Sequence, residues 1–118
     1  MGTFFQTIEI AASPNGPFTS IEALVDTGAS YTWIPSPILS RLSLVPLFRR
    51  QFTLADGTTI ERDVTQIVVR LVGRPLFTIC IFGDDGSMPL LGAVTLEEFG
   101  LSVDPVNKRL TPVPGFLV

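Results

Sequence analysis

The 118-residue chain has no histidine, which removes the imidazole that Ser-His and Cys-His nucleophilic systems use as their base. A single cysteine beside that absence leaves no zinc set, so no metal and no cofactor are expected. Cys80 itself lies in the apolar run Leu76-Phe77-Thr78-Ile79-Cys80-Ile81-Phe82 and reads as a packed core thiol. No apolar run approaches the ~20 residues of a membrane span. Net charge is −3, and Arg49-Arg50 is the largest basic cluster, so nucleic acid is not an expected partner. The opening Met1-Gly2-Thr3-Phe4-Phe5-Gln6 has no basic, apolar and small-residue sequence of regions, which predicts no secretory signal. Gln6 also breaks the myristoylation pattern, and a cytoplasmic location is expected. If the chain is an enzyme, carboxylates must do the chemistry.

What is present is apolar. Hydrophobic residues make up 46% of the chain, and the length fits one domain, residues 1–118, burying roughly two-thirds of its unfolded surface. So much apolar surface on a small chain points to a second copy of itself as partner.

One stretch stands out: Ala23-Leu24-Val25-Asp26-Thr27-Gly28-Ala29-Ser30. An apolar strand runs into Asp-Thr-Gly, and Gly28 allows a sharp turn where a side chain would obstruct. A carboxylate at a strand end, with only small residues around it, leaves room for a substrate backbone. The same tripeptide also serves as ordinary turn chemistry, with Asp capping its own backbone and Gly taking positive φ.

The rest of the chain predicts many short strands. Thr3–Ala11 and Phe18–Val25 flank the turn signal Ser13-Pro14-Asn15-Gly16-Pro17. A short strand over Tyr31–Ile34 ends at Pro35, where Ser36 is expected to N-cap a helix over Ile38–Leu42 with Pro37 first. Phe48–Leu54 and Thr58–Val64 flank Ala55-Asp56-Gly57, a hairpin turn. Ile67–Val72 and Leu76–Phe82 flank Gly73-Arg74-Pro75 as a second hairpin. A polar loop, Gly83–Ser87, precedes the apolar Met88-Pro89-Leu90-Leu91-Gly92. Ala93–Phe99 is the best helix, closed by Gly100, and Leu101–Val103 with Arg109–Val113 suggest a last hairpin. The expected fold is mostly β, a closed barrel-like domain with one short C-terminal helix.

Leu24-Val25-Asp26-Thr27-Gly28-Ala29-Ser30 resembles the catalytic loop of the retropepsin-like aspartic proteases, which carry one such loop per chain. The order of elements is similar over nearly the whole chain, and Leu90-Leu91-Gly92 followed by Ala93–Phe99 looks like the second family signature. The resemblance implies a retropepsin fold acting as a homodimer on peptide or protein substrates. Asp26 would be catalytic, and Thr27 and Gly28 would support it, Thr27 by a hydrogen bond across the dimer. Ala29, Ser30 and Tyr31 would meet an extended peptide. Ala55, Asp56, Gly57 and Thr58 would form a flap tip closing over it, with Met88 and Leu90 as pocket walls. Trp33 reads as plain strand packing, and Asp84-Asp85 as a solvated loop.

Peptide hydrolysis of this kind needs one carboxylate to take a proton from water and one carboxylic acid to polarise the carbonyl. Two carboxyls ~3 Å apart cannot both ionise, so they share a proton and divide those roles. No second Asp-Thr-Gly exists here, so the partner carboxyl would be Asp26 of another copy, related by a two-fold axis.

Two departures from the viral members matter. The flap has one glycine, Gly57, with Asp56 beside it, and Ala93-Val94 stands where they carry a charged or polar pair. Both point to a cellular or bacterial relative. They also motivate an alternative, a catalytically weak module that dimerises or binds peptides; a third reading is a small ligand-binding barrel in which Asp26 only caps a turn. Thr3–Ile8 and Phe116–Val118 are apolar enough to form an interface sheet.

Overall fold

Alternation of inward and outward residues sets the first hairpin. In the computed structural model, which describes residues 3–115 and 117, β1 (Phe4–Ala11) sends Ile8 and Ile10 into the core and exposes Phe5 and Thr7. It pairs antiparallel with β2 (Thr19–Val25), so that Phe4 faces Val25 at the strand end. Phe116 and Val118, expected to contribute to an interface sheet, lie outside the described residues.

Next come β3 (Thr32–Pro35), α1 (Ser36–Arg41), β4 (Phe48–Thr53), β5 (Thr59–Leu71) and β6 (Arg74–Gly83). β7 (Leu90–Leu91), α2 (Ala93–Glu98), β8 (Leu101–Asp104) and β9 (Arg109–Pro112) complete the chain. The main sheet runs β1-β2-β7-β3-β6-β5-β4, and β1 also pairs with β5 through Glu9–Ala11 against Val68–Arg70. That pairing closes the strands into a ring, with β4 as an extension beyond β5. Across the closure Arg70 grips Glu9 in a two-pronged ion pair of 2.8 and 2.9 Å, which holds the Glu9 carboxyl below its ordinary range.

Two expected strands, Thr58–Val64 and Ile67–Val72, are one continuous strand, β5. Thr65 and Gln66 look like a break in the sequence, but pairing with β6 carries straight through them, Thr65 opposite Cys80 and Gln66 opposite Ile79, with Thr65 buried and Gln66 exposed. The second hairpin turns on Val72-Gly73 alone, and Arg74 and Pro75 already belong to β6.

Ser36 does not cap α1. Pro35 occupies the cap position with no side-chain bond, and the Ser36 hydroxyl donates to the Gly83 carbonyl at 2.8 Å, tying the helix start to the end of β6. The C-terminal helix ends at Gly100 as expected, with Gly100 at φ 66°. Leu39 of α1 and Leu96 of α2 join Ile8, Ile34, Ile67 and Leu91 in the core. Cys80 is fully buried there, and burial pushes its thiol well above the ordinary range, as expected for a packing residue. Among the described residues no helix is long and apolar enough to cross a membrane.

Candidate active site

The two-residue strand β7 lies between β2 and β3, parallel to the first and antiparallel to the second. The loop joining β2 to β3, residues 26–31, therefore has to pass over the end of β7. Backbone bonds fix that crossing: Leu24 N–H donates to Pro89 at 2.9 Å, and Asp26 N–H donates to Leu91 at 3.1 Å.

Beyond β7 the chain enters α2, whose first N–H groups have no partner within the helix. No side chain caps it. Instead Ala93 N–H donates to the Ala29 carbonyl at 2.8 Å, and Val94 N–H to the Ser30 carbonyl at 2.9 Å. The loop carbonyls do the capping, and the helix start in turn anchors the loop. Gly92 makes this close approach possible, because a Cβ there would stand 2.6 Å from the Tyr31 carbonyl oxygen.

A chain of hydroxyls supports the same junction. Gly92 N–H donates to Thr32 Oγ1 at 3.2 Å. Thr32 lies 2.7 Å from Thr95 Oγ1, which lies 2.8 Å from Thr78 Oγ1, and Thr78 donates to the Glu98 carboxylate at 2.6 Å. Because Thr78 donates to Glu98, the direction is fixed along the chain: Thr95 donates to Thr78, and Thr32 to Thr95. All three threonines are buried, and each hydroxyl proton has one acceptor.

Within the loop, Asp26 is half-buried, and its Oδ1 accepts the Gly28 N–H at 2.9 Å. Its carbonyl accepts Ala29 N–H at 3.1 Å. A Cβ on Gly28 would come within 3.1 Å of that carboxylate oxygen. Space beside the carboxylate, not a positive φ, is what the glycine supplies. Thr27 is exposed. The other aspartates are engaged elsewhere or lie in polar loops: Asp63 pairs with Arg49, Asp84 with Arg62, and Asp104 with Asn107.

A cleft of about 670 Å³ opens beside the loop. Gly28, Ala29, Ser30 and Tyr31 form one wall, β4 and Ala55 another, and Leu90 lies along the apolar lining. Asp26 and Thr27 border an adjoining cavity of about 410 Å³ with Thr3, Val103 and Pro105, and Gly28 lines both spaces. Met88 is exposed and does not line the cleft.

The β4–β5 hairpin ends in a three-residue loop. Leu54 N–H donates to the Thr58 carbonyl at 2.7 Å and Gly57 N–H to the Leu54 carbonyl at 2.9 Å, with Gly57 at φ 86°. Asp56 Oδ1 accepts both the Thr58 hydroxyl, at 2.6 Å, and the Thr58 N–H, at 3.0 Å. These bonds hold the Asp56 carboxyl below the ordinary aspartate range. Ala55 reaches the cleft lining, whereas Asp56, Gly57 and Thr58 form the exposed tip.

Sequence reasoning did not assign Arg50, Phe52, Arg62, Trp33 or Asp84 to the cleft that they line. Arg50 stacks on Tyr31 and Phe52, with its guanidinium carbon 5.5 and 5.3 Å from the two ring centres. Arg62 lies over Trp33 and forms a forked pair with Asp84 at 3.0 and 3.2 Å. Trp33 is thus more than strand packing: its Nε1–H also donates to Ser87 Oγ at 3.0 Å. Asp84 is exposed but paired rather than merely solvated. Strand alternation carried the signal for the arginines, since adjacent residues of β4 face opposite ways.

A ring of short strands with an Asp-Thr-Gly loop strapped to an apolar-apolar-Gly segment defines a retropepsin-like aspartic protease fold. The family model described as aspartyl protease matches residues 10–79, more than half of the 118, including the Asp26 loop and the β4–β5 hairpin. The chain belongs to that family, and it is an aspartic peptidase, a hydrolase. Among solved structures it is similar to EIAV protease complexed with an inhibitor, with a TM-score of 0.63, 20% identity, and 86% of this chain and 91% of that chain covered. It is also similar to the solution structure of simian foamy virus protease, with a TM-score of 0.56, 19% identity, and 80% and 94% covered. No curated protein matches the chain in sequence.

Proposed function

We propose that the chain, as one domain, is a homodimeric endopeptidase whose reacting carboxyls are the Asp26 residues of two copies. The observation that carries this reading is the attachment of the Asp26 loop: β7 and α2 hold it at the edge of a cleft of about 670 Å³. One chain brings one such loop, so the second acid must come from a second chain related by a two-fold axis.

In this reading a water lies between the two carboxyls, which share one proton. The ionised member takes a proton from the water as it attacks the scissile carbonyl, and the protonated member donates to the carbonyl oxygen. The tetrahedral intermediate then collapses: the acid formed in the first step protonates the leaving amine, and the other carboxylate takes a proton from a hydroxyl of the intermediate, so that the pair again shares one proton. Thr27 bonds across the dimer and keeps the carboxyls together, while Gly28 leaves the space they need. Ala29, Ser30 and Tyr31 align the peptide backbone. Ala55, Asp56, Gly57 and Thr58 close over it and exclude water, and Leu90 contacts substrate side chains within the cleft.

The test is cleavage of a denatured-protein peptide pool from acid to neutral pH, wild type beside Asp26→Asn, with mass in solution measured for both. Wild type is expected to cut, and the variant to fold and dimerise while losing activity by about 10³-fold or more. A fully active variant overturns the assignment of Asp26. A folded wild-type dimer that cuts nothing makes the chain a peptide-binding or dimerisation module instead.

A further inference from the structure

We propose that Arg50 is a specificity determinant of the cleft and that it selects peptides carrying an aspartate or glutamate side chain. The inference rests on the peptidase reading above and names its substrate class.

Three observations carry it. First, the charge in the cleft is unbalanced. Arg50 and Arg62 stand directly opposite each other on β4 and β5, and both line the cleft. Like charges in that relation repel. Arg62 has Asp84 as its forked counter-ion, whereas among the described residues Arg50 has no carboxylate partner. Its neighbour Arg49, on the other face of the strand, is matched by Glu61 and Asp63. An incoming carboxylate at Arg50 would supply the missing charge.

Second, the guanidinium is held ready. Tyr31 and Phe52 meet edge to face at 6.0 Å, and Arg50 lies against both rings while Nη1 donates to the Tyr31 hydroxyl at 3.3 Å. That uses one of five donors and limits the swing of the side chain. The remaining donors keep the planar fork that matches a carboxylate in two-pronged fashion, which a lysine could not reproduce.

Third, the surroundings set the context of that acid. Ile60, Ile81 and Leu90 give the cleft an apolar lining. The favoured substrate is therefore an extended peptide with apolar side chains in the cleft and one acidic side chain reaching β4.

Arg50 also ties the base of the flap to Tyr31, and the experiment separates that role from charge recognition. Peptides recovered from the cleaved pool are remade in sets that differ only as Glu, Gln or Lys at one position, and kcat/KM is measured for wild type, Arg50→Met and Arg50→Glu. Wild type should favour the Glu member by about tenfold at one position. Arg50→Met should abolish that ratio, and Arg50→Glu should turn the preference towards Lys at the same position. An Arg50 that only braces the flap would slow both members equally and leave the ratio as in wild type, which overturns the proposal. A pool left uncut sinks the peptidase reading. The proposal is then decided by calorimetric binding of Glu and Gln peptide pairs to wild type and Arg50→Met, and equal affinities overturn it.

Discussion

Gly92 lies directly behind Tyr31, close enough that any side chain at 92 would collide with the backbone of 31. This approach lets α2 take its first two acceptors from Ala29 and Ser30, so the helix and the Asp26 loop are one unit. Substituting Gly92→Ala should force the two apart. The expected cost is about 3 kcal/mol, at the upper end of overpacking, with loss of peptidase activity. Denaturant unfolding and cleavage assays check it, and an unchanged midpoint with full activity would remove the contact from the account.

The hydroxyl chain from Thr32 to Glu98 gives a second expectation. Thr95→Val keeps the shape but removes the central hydroxyl, leaving Thr32 without its acceptor and Thr78 without its donor. Buried groups left unpaired cost about 1–3 kcal/mol each, so urea unfolding should show a loss in that range. Thr95→Ser restores the hydroxyl and should recover most of the difference, beyond a small packing loss.

Asp56 should titrate below an ordinary aspartate, because the Thr58 hydroxyl and N–H both bond its ionised form. Since the folded carboxyl has the lower pKa, its contribution to the turn is present above the unfolded value and is lost as pH falls through the folded midpoint. Carbon-detected titration should give the low midpoint in wild type and a higher one in Thr58→Val, which loses the hydroxyl bond but keeps the N–H bond. An ordinary midpoint in the wild type would mean that the turn does not hold this bond in solution.

Trp33 is the chain's one tryptophan and reports on its own end of the cleft. Its indole packs against Gly83 so closely that an added Cβ would overlap it, and its Nε1–H donates to Ser87. Gly83→Ala should displace the ring, break that bond and shift the fluorescence maximum towards that of a solvated indole. Ser87→Ala should produce a smaller shift, because only the hydrogen bond is lost.

Sequence alone determined the Asp26 loop, the β4–β5 hairpin and the mostly β character, because each is written in neighbouring residues. An apolar run ends in Asp-Thr-Gly, Ala55-Asp56-Gly57 turns a hairpin, loose alternation marks β1, and an apolar run marks β6. It did not show that β5 runs unbroken, since Thr65 reads as polar until the pairing partner that buries it is known. Nor did it give Ser36 its true acceptor, because the Gly83 carbonyl competes with the helix end only once β3 and β6 lie side by side. Tertiary structure alone decided the insertion of Leu90-Leu91 between β2 and β3, the capping of α2 by the loop, and the meeting of Arg50 with Tyr31. Those contacts join residues far apart in the chain, and local preference is silent about which distant backbone will supply a missing hydrogen-bond partner.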